Sequence, residues 1–253
     1  MRRVSWLNPR TTGNAIRLLV EYLPQLEGFT FSRRAGFRYK TPRLLVQFKG
    51  LHRAINKCLP AGFRHEGDGQ GTGIGRTGVT TDNRIARWAQ TGRQPTSHRT
   101  HERDLIRLYL TKGWKPLAGA FPVYNLRSGI ATRIDHILYD AKADELILVE
   151  LKCGYHGRFD VRQYPDQLLF YDGNTVAVRL PASIATVACL QLAWSALQFQ
   201  RMFPGVKFRC LLVHMDGEGS PDLRNVYFDH TQLVAIARRL GESIAVGKSH
   251  KRT

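Results

Sequence analysis

ATRIDHILYDAKADELILVELKC, residues 131–153, holds two apolar runs around a short polar turn. A connection as brief as AKAD, residues 141–144, makes the flanking runs antiparallel neighbours. With those residues as the loop, Asp140 pairs with Glu145, and counting outward sets Asp135 opposite Glu150. Directly opposed residues share a face, with Cβ atoms roughly 5 Å apart. Lys152, two positions beyond Glu150, shares it too. The second strand is apolar on both faces, through Leu146 and Leu148 on one and Ile147, Val149 and Leu151 on the other. Isolated charges there cost several kcal/mol each. Two readings follow. Asp135 and Glu150 hold a divalent cation, for which carboxylate oxygens, waters and phosphate are the natural ligands. Or Lys152 and the acids form a plain ion pair at a strand end.

Around this hairpin the hydrophobic period switches between two and 3.6. KPLAGAFPVYNL (115–126) reads as a strand before it. After it, GYHGRFDVRQYPDQLLFYDGNTVAVRLP (154–181) reads as irregular. A long helix is expected over 183–203, a buried strand over 206–216, a short strand over 224–229 and a closing helix over 231–242. Upstream, GIGRTGVTTDNRIARWAQ (73–90) runs from glycines into a helix, with Thr80 or Thr81 near its cap. A second helix runs from about Thr100 to Lys112, where Lys112-Gly113 is a stop signal. This order implies an α/β fold with one mixed sheet flanked by helices.

The chain has 253 residues and a formal net charge of +18, from 38 Lys and Arg against 20 Asp and Glu. Such a charge attracts polyanions, nucleic acid above all. No apolar run is long enough for a membrane span. Cys58, Cys153, Cys189 and Cys210 are far apart, with no zinc or iron–sulfur spacing, and read as small buried apolar residues of a reducing compartment. GESIAVGKS (241–249) imitates a P-loop, but Gly241 is one position too early.

The expected organisation is a basic, mostly helical N-terminal segment (1–66), a glycine-rich linker (67–74), a main domain (75–245) and a basic tail (246–253). Helices are expected near 12–23 and 43–59. The start fits a basic first helix or a mitochondrial transit peptide, and the tail a nuclear address or a frayed end. GFTFSRRAGFRYK (28–40) reads as a hairpin or loop. Its Phe29, Phe31, Phe37 and Tyr39 either stack bases while Arg33, Arg34, Arg38 and Lys40 meet phosphates, or pack inward beside solvated cations.

RID…LVELK resembles the PD-(D/E)XK nuclease superfamily, in which a hairpin presents Asp and then Glu-x-Lys. The element order over residues 75–216 is similar to the RecB-type and lambda-exonuclease-like branches. The resemblance implies a restriction-endonuclease-like mixed central sheet flanked by helices. It implies Mg²⁺ (or Mn²⁺) bound by Asp135 and Glu150, with Asp82 in GRTGVTTD completing the site and Lys152 positioning or activating water. Gln191 in CLQLAWSAL matches the family's glutamine, with QLLFY (167–171) second, while Glu102 is a weaker ligand candidate. Tyr155, His156 and Arg158 fall where the family borders its nucleic acid. Departures are Ile134 for the frequent Pro, Asp82 for the usual His, Ser195 for a tyrosine, and no cysteine cluster. Asp82 read alone is equally a helix-cap carboxylate, and Gln191 an ordinary polar helix residue.

The expectation is a metal-dependent deoxyribonuclease of little sequence specificity, with RNA the other polymer and the exo or endo mode open. Such a nuclease suits viral or mobile-element DNA processing, recombination or repair. The alternatives are a non-catalytic nucleic-acid-binding protein on the same fold and a packaging protein.

Overall fold

The computed structural model describes residues 13–22, 26, 28–32, 36–41, 44–61, 63, 73–94, 100–155, 158–163, 167–216 and 220–245. Arg33, Arg34, His156, residues 1–12, the stretch 64–72 and the tail lie outside them. Among the described residues the first elements are α1 (Asn14–Tyr22), β1 (Phe29–Ser32), β2 (Gly36–Thr41), β3 (Leu44–Gln47), β4 (Lys49–Gly50) and α2 (Leu51–Asn56). Next come α3 (Gly73–Thr91), α4 (Thr100–Thr111), β5 (Trp114–Asn125), β6 (Ile130–Asp140) and β7 (Glu145–Cys153). The remainder is β8 (Gln167–Asp172), β9 (Thr175–Pro181), α5 (Ile184–Met202), β10 (Phe208–Met215), β11 (Asp222–Val226) and α6 (His230–Ala245).

The protein is α/β, with a mixed sheet flanked by helices. The sheet runs β11-β10-β7-β6-β4, with β5 along the other edge of β6. β7 and β10 are parallel, as are β4 and β6, while β5, β6 and β7 are successively antiparallel. Alternate residues of β7 divide between two cores. Leu146 and Leu148 meet α5, α1 and α2 through Leu190, Trp194, Ile16 and Ile55. Ile147, Val149 and Leu151 meet α3 and α4 through Trp88, Leu105 and Tyr109. A strand apolar on both faces must be covered on both, which yields helix, sheet and helix layers. The long α5 is capped by Ser183, whose hydroxyl accepts from the Thr186 amide at 3.2 Å.

The N-terminal segment differs from its expected, mostly helical form. Among the described residues of the expected 43–59 helix only Leu51–Asn56 is helical, because LLVQ pairs with β2 as β3. Its aliphatic and β-branched residues suit a pleated surface, and tertiary pairing overrides helix propensity. Residues 167–181, expected to be irregular, form the β8–β9 hairpin. The turn signal was Gly173-Asn174 between two alternating runs, with Gly173 at φ 59°. Helix α3 begins at Gly73, so Thr80 and Thr81 lie inside it and do not cap it. Among the described residues, no helix is long and apolar enough to cross a membrane.

Candidate active site

The turn between β6 and β7 sets the site's register. Asp140 Oδ1 accepts from the amides of Lys142 and Ala143 at 3.0 and 3.3 Å, closing the loop on itself. Arg209 on β10 clamps both sides of the turn through Asp140, at 2.9 Å, and Glu145. Asp140 pairs with Glu145, and the ladder continues to His136 opposite Val149. One step further the strands part. Asp135 and Glu150, next in that register, are not a ladder pair. Instead Asp135 Oδ2 accepts from the Leu151 amide at 2.7 Å. The side chain takes over a donor that the ladder has left, satisfying a buried N–H.

On the far edge of β6, the β5 backbone is irregular at the same level. Ala120 lies between the Gly119–His136 and Phe121–Ile134 pairs with φ 51°, a left-handed conformation uncommon for a residue with a Cβ. Gly119 beside it admits α3 closely, since a Cβ there would lie 1.8 Å from the Ala86 carbonyl oxygen. Helix α3 is also tied to α4. Glu102, fully buried, accepts from Thr81 Oγ1 at 3.1 Å and from Arg84 Nη1 at 3.2 Å. Glu102, the weaker ligand candidate, therefore braces the helix that carries Asp82.

Asp82, well inside α3, brings a third carboxylate. Its Oδ1 is buried with no hydrogen-bond partner. Burial, followed by the charges of Asp135 and Glu150, raises its pKa to about 8. Burial and the neighbouring Asp135 raise Glu150 to about 7. Asp135 is also raised by burial, against the lowering pull of Lys152, the Leu151 amide and Arg133. Lys152 Nζ donates to Glu150 Oε1 at 2.5 Å. Burial alone would favour the neutral amine of Lys152, but Glu150 and Asp135 override it and raise the pKa. Lys152 is thus an ammonium at neutral pH.

Asp82, Asp135, Glu150 and Lys152 therefore interact as one charge cluster. Among the described residues, no group of three or more His, Cys, Asp or Glu side chains is arranged to hold a metal ion. The donor set nonetheless suits a hard cation. Burial raises all three acids, Asp135 adds to this for Glu150 and Asp82, Glu150 adds to it for Asp82, and Asp82 Oδ1 lacks a partner. Gln191 is half-buried on α5 and makes no hydrogen bond to Glu150 or Lys152. QLLFY lies on β8, not on a helix.

The remaining expected contacts divide. Gly154 and Tyr155, with φ 90° and 79°, turn the chain away just past Lys152. Tyr155 is half-buried against Phe159 and His214, at ring distances of 5.9 and 6.4 Å. Arg158 is exposed. In the β1–β2 hairpin, Phe29 is buried, and Phe37 and Tyr39 turn inward against a small core with Phe48 and Tyr124. Phe31 alone of the four aromatics is exposed. Arg38 is exposed and bonded to Gln47, and Lys40 is exposed.

Arg133 was missed. It lies two residues before Asp135, a spacing that places both on one face of β6. Its guanidinium sits 4.0 Å above the Phe31 ring, and its charge lowers the pKa of Asp82 and Asp135. Together Arg133 and Phe31 line a cavity of about 410 Å³ that Ala120 and Gln90 also border. The four cysteines form no disulfide among the described residues and are half-buried, and Cys153 near the cluster is pushed up to about 12 by burial and by Asp82. No protein-family model matches the chain, and no curated protein matches it.

Proposed function

We propose that the protein is a metal-dependent nuclease of the PD-(D/E)XK type, on a restriction-endonuclease-like fold, that hydrolyses DNA phosphodiester bonds. The observation that carries this is the meeting of Asp82, Asp135, Glu150 and Lys152 where β6 and β7 part, in a chain of net charge +18. Asp82, Asp135 and Glu150 would hold Mg²⁺ or Mn²⁺, which lowers the pKa of a bound water and neutralises phosphate charge. Asp135 is held at the fork by the Leu151 amide, so its second oxygen is presented in a fixed direction. Lys152, already an ammonium, donates a hydrogen bond to a water or to a phosphate oxygen and does not take up a proton. Arg133, stacked on the partly exposed Phe31, offers a cation to the approaching strand. Arg38, Lys40 and Arg158 add sequence-independent phosphate attraction.

The test incubates linear and circular DNA with the protein, in Mg²⁺ and in EDTA, beside Lys152→Ala and Glu150→Ala. Cutting that needs Mg²⁺ and is lost in both variants supports the proposal. DNA binding without cutting, unchanged in both, defeats it. An RNA arm separates the polymers, and survival of circles separates exonuclease from endonuclease action.

A non-catalytic nucleic-acid-binding protein is favoured by one observation: the Lys152 ammonium already satisfies Glu150 at 2.5 Å, as an ion pair needing no metal would. In that case Mg²⁺ leaves stability unchanged.

A further inference from the structure

The geometry points to a second binding site, for a phosphate-bearing ligand of nucleotide size, beside the β5–β6 turn. Ile130, just past that turn, is five strand residues from Asp135, about 17 Å along β6. A cavity of about 550 Å³ opens there between the turn, α5 and α6. That is ample for one nucleotide. Arg127 on the turn, Arg201 in the last turn of α5 and Arg238 on α6 line it. Arg127 and Arg201 have no ion-pair partner among the described residues, while Arg238 Nη1 lies 3.4 Å from Asp172. No carboxylate lines the cavity among the described residues.

The second observation is Gln198. It is only 2% exposed, yet it borders the cavity. Its Oε1 accepts from Asn125 Nδ2 at 3.0 Å, which orients the amide, and its buried Nε2 has no hydrogen-bond partner. An unsatisfied buried donor is costly, and an incoming acceptor oxygen would relieve it. Three guanidinium groups favour that oxygen on a phosphate, which they recognise through planar paired donors. Trp194, Val234 and Ala237 offer apolar surface to the organic part of the ligand.

This site is separate from the carboxylate cluster, so binding is measured in EDTA with the full chain. Calorimetric titrations use inorganic phosphate, a deoxynucleoside 5′-monophosphate, and one short oligonucleotide with and without a 5′-phosphate. Arg201→Ala and Arg127→Ala/Arg201→Ala are compared with wild type. Saturable binding of a phosphorylated probe, weakened on the order of tenfold or more in the double variant, is expected. Binding of the monophosphate identifies a free nucleotide as the source. A preference only for the phosphorylated oligonucleotide identifies a strand end. Glu150→Gln is expected to bind as wild type does, which keeps this result distinct from any failure of the nuclease reading. Absence of saturable binding by every phosphorylated probe, or equal affinity in the double variant, overturns the inference.

Discussion

Asp135 and the Leu151 amide are joined side chain to backbone, at 2.7 Å, where the β6–β7 ladder stops. The candidate catalytic acid is therefore also a structural acceptor, and its two roles are separable. Asp135→Asn retains an oxygen for Leu151, whereas Asp135→Ala leaves that amide unpaired at a cost of about 1–3 kcal/mol. Both variants should lose metal-dependent cleavage by about 100-fold or more. Denaturant unfolding should separate them, with only the alanine variant less stable than wild type. Equal stability of the two would mean that the Leu151 contact contributes nothing.

The pH dependence of stability has a definite sign. Glu150 is raised to about 7 and Asp82 to about 8 in the folded protein, from ordinary values of 4.5 and 3.8. Between the unfolded and folded values the native state holds more protons than the unfolded chain. Their contribution is therefore full at acid pH and is lost as pH rises through the folded values. Buried His136, pushed down to about 3, slopes the other way below its usual range, but wild type and Glu150→Gln share it. On going from pH 5 to pH 8.5, the stability difference should move in favour of Glu150→Gln. A difference constant across that range would show that Glu150 does not titrate there.

Metal should stabilise the protein where the acids repel. At pH 8 a hundredfold excess of Mg²⁺ over its Kd contributes about 2.7 kcal/mol, which for a chain of this size raises Tm by about 5–10 °C. Asp82→Asn and Glu150→Gln should each remove most of this rise. Thermal melts in Mg²⁺ and in EDTA measure it independently of any cleavage. An identical Tm in both buffers would favour the ion-pair reading of Lys152 and Glu150.

Gly119→Ala tests how α3 delivers Asp82. The added Cβ would fall 1.8 Å from the Ala86 carbonyl oxygen, so backbone must move. Overpacking of this kind costs about 1–3 kcal/mol. The same shift carries Asp82 away from Asp135 and Glu150, so cleavage should fall further than the stability loss explains. Full activity in a destabilised variant would separate α3 packing from the site.

The hairpin was readable because its short turn leaves one register, and Asp140 and Arg209 hold it there. The β-strands and helices from Thr100 onward followed their hydrophobic periods, apart from β8 and β9. Those were hidden because outward positions of β8 carry the exposed apolar Leu169 and Tyr171, which blur its alternation. LLVQF reads as part of a helix, and only its pairing with β2 makes it a strand. The place of Asp82 depends on Gly119 and Glu102, contacts between elements that no local pattern carries. Arg133 was visible at two residues from Asp135, but one strand face says nothing of the Phe31 ring that meets it.

Asp144, in the hairpin turn, has a consequence for how the chain can be cut. Its Oδ1 accepts from the Ala15 amide in the first turn of α1, at 3.3 Å, and from Tyr139 Oη at 2.8 Å. Ile16, Leu19, Leu51 and Ile55 share a core with Leu117, Phe121 and Leu148. A shortened protein starting after the glycine-rich stretch would bare that apolar wall and leave the turn without its helix. Expression of a fragment starting at Gly73 should therefore yield aggregates, and a cleavage site engineered before Gly73 should, once cut, leave two pieces that remain associated until denatured.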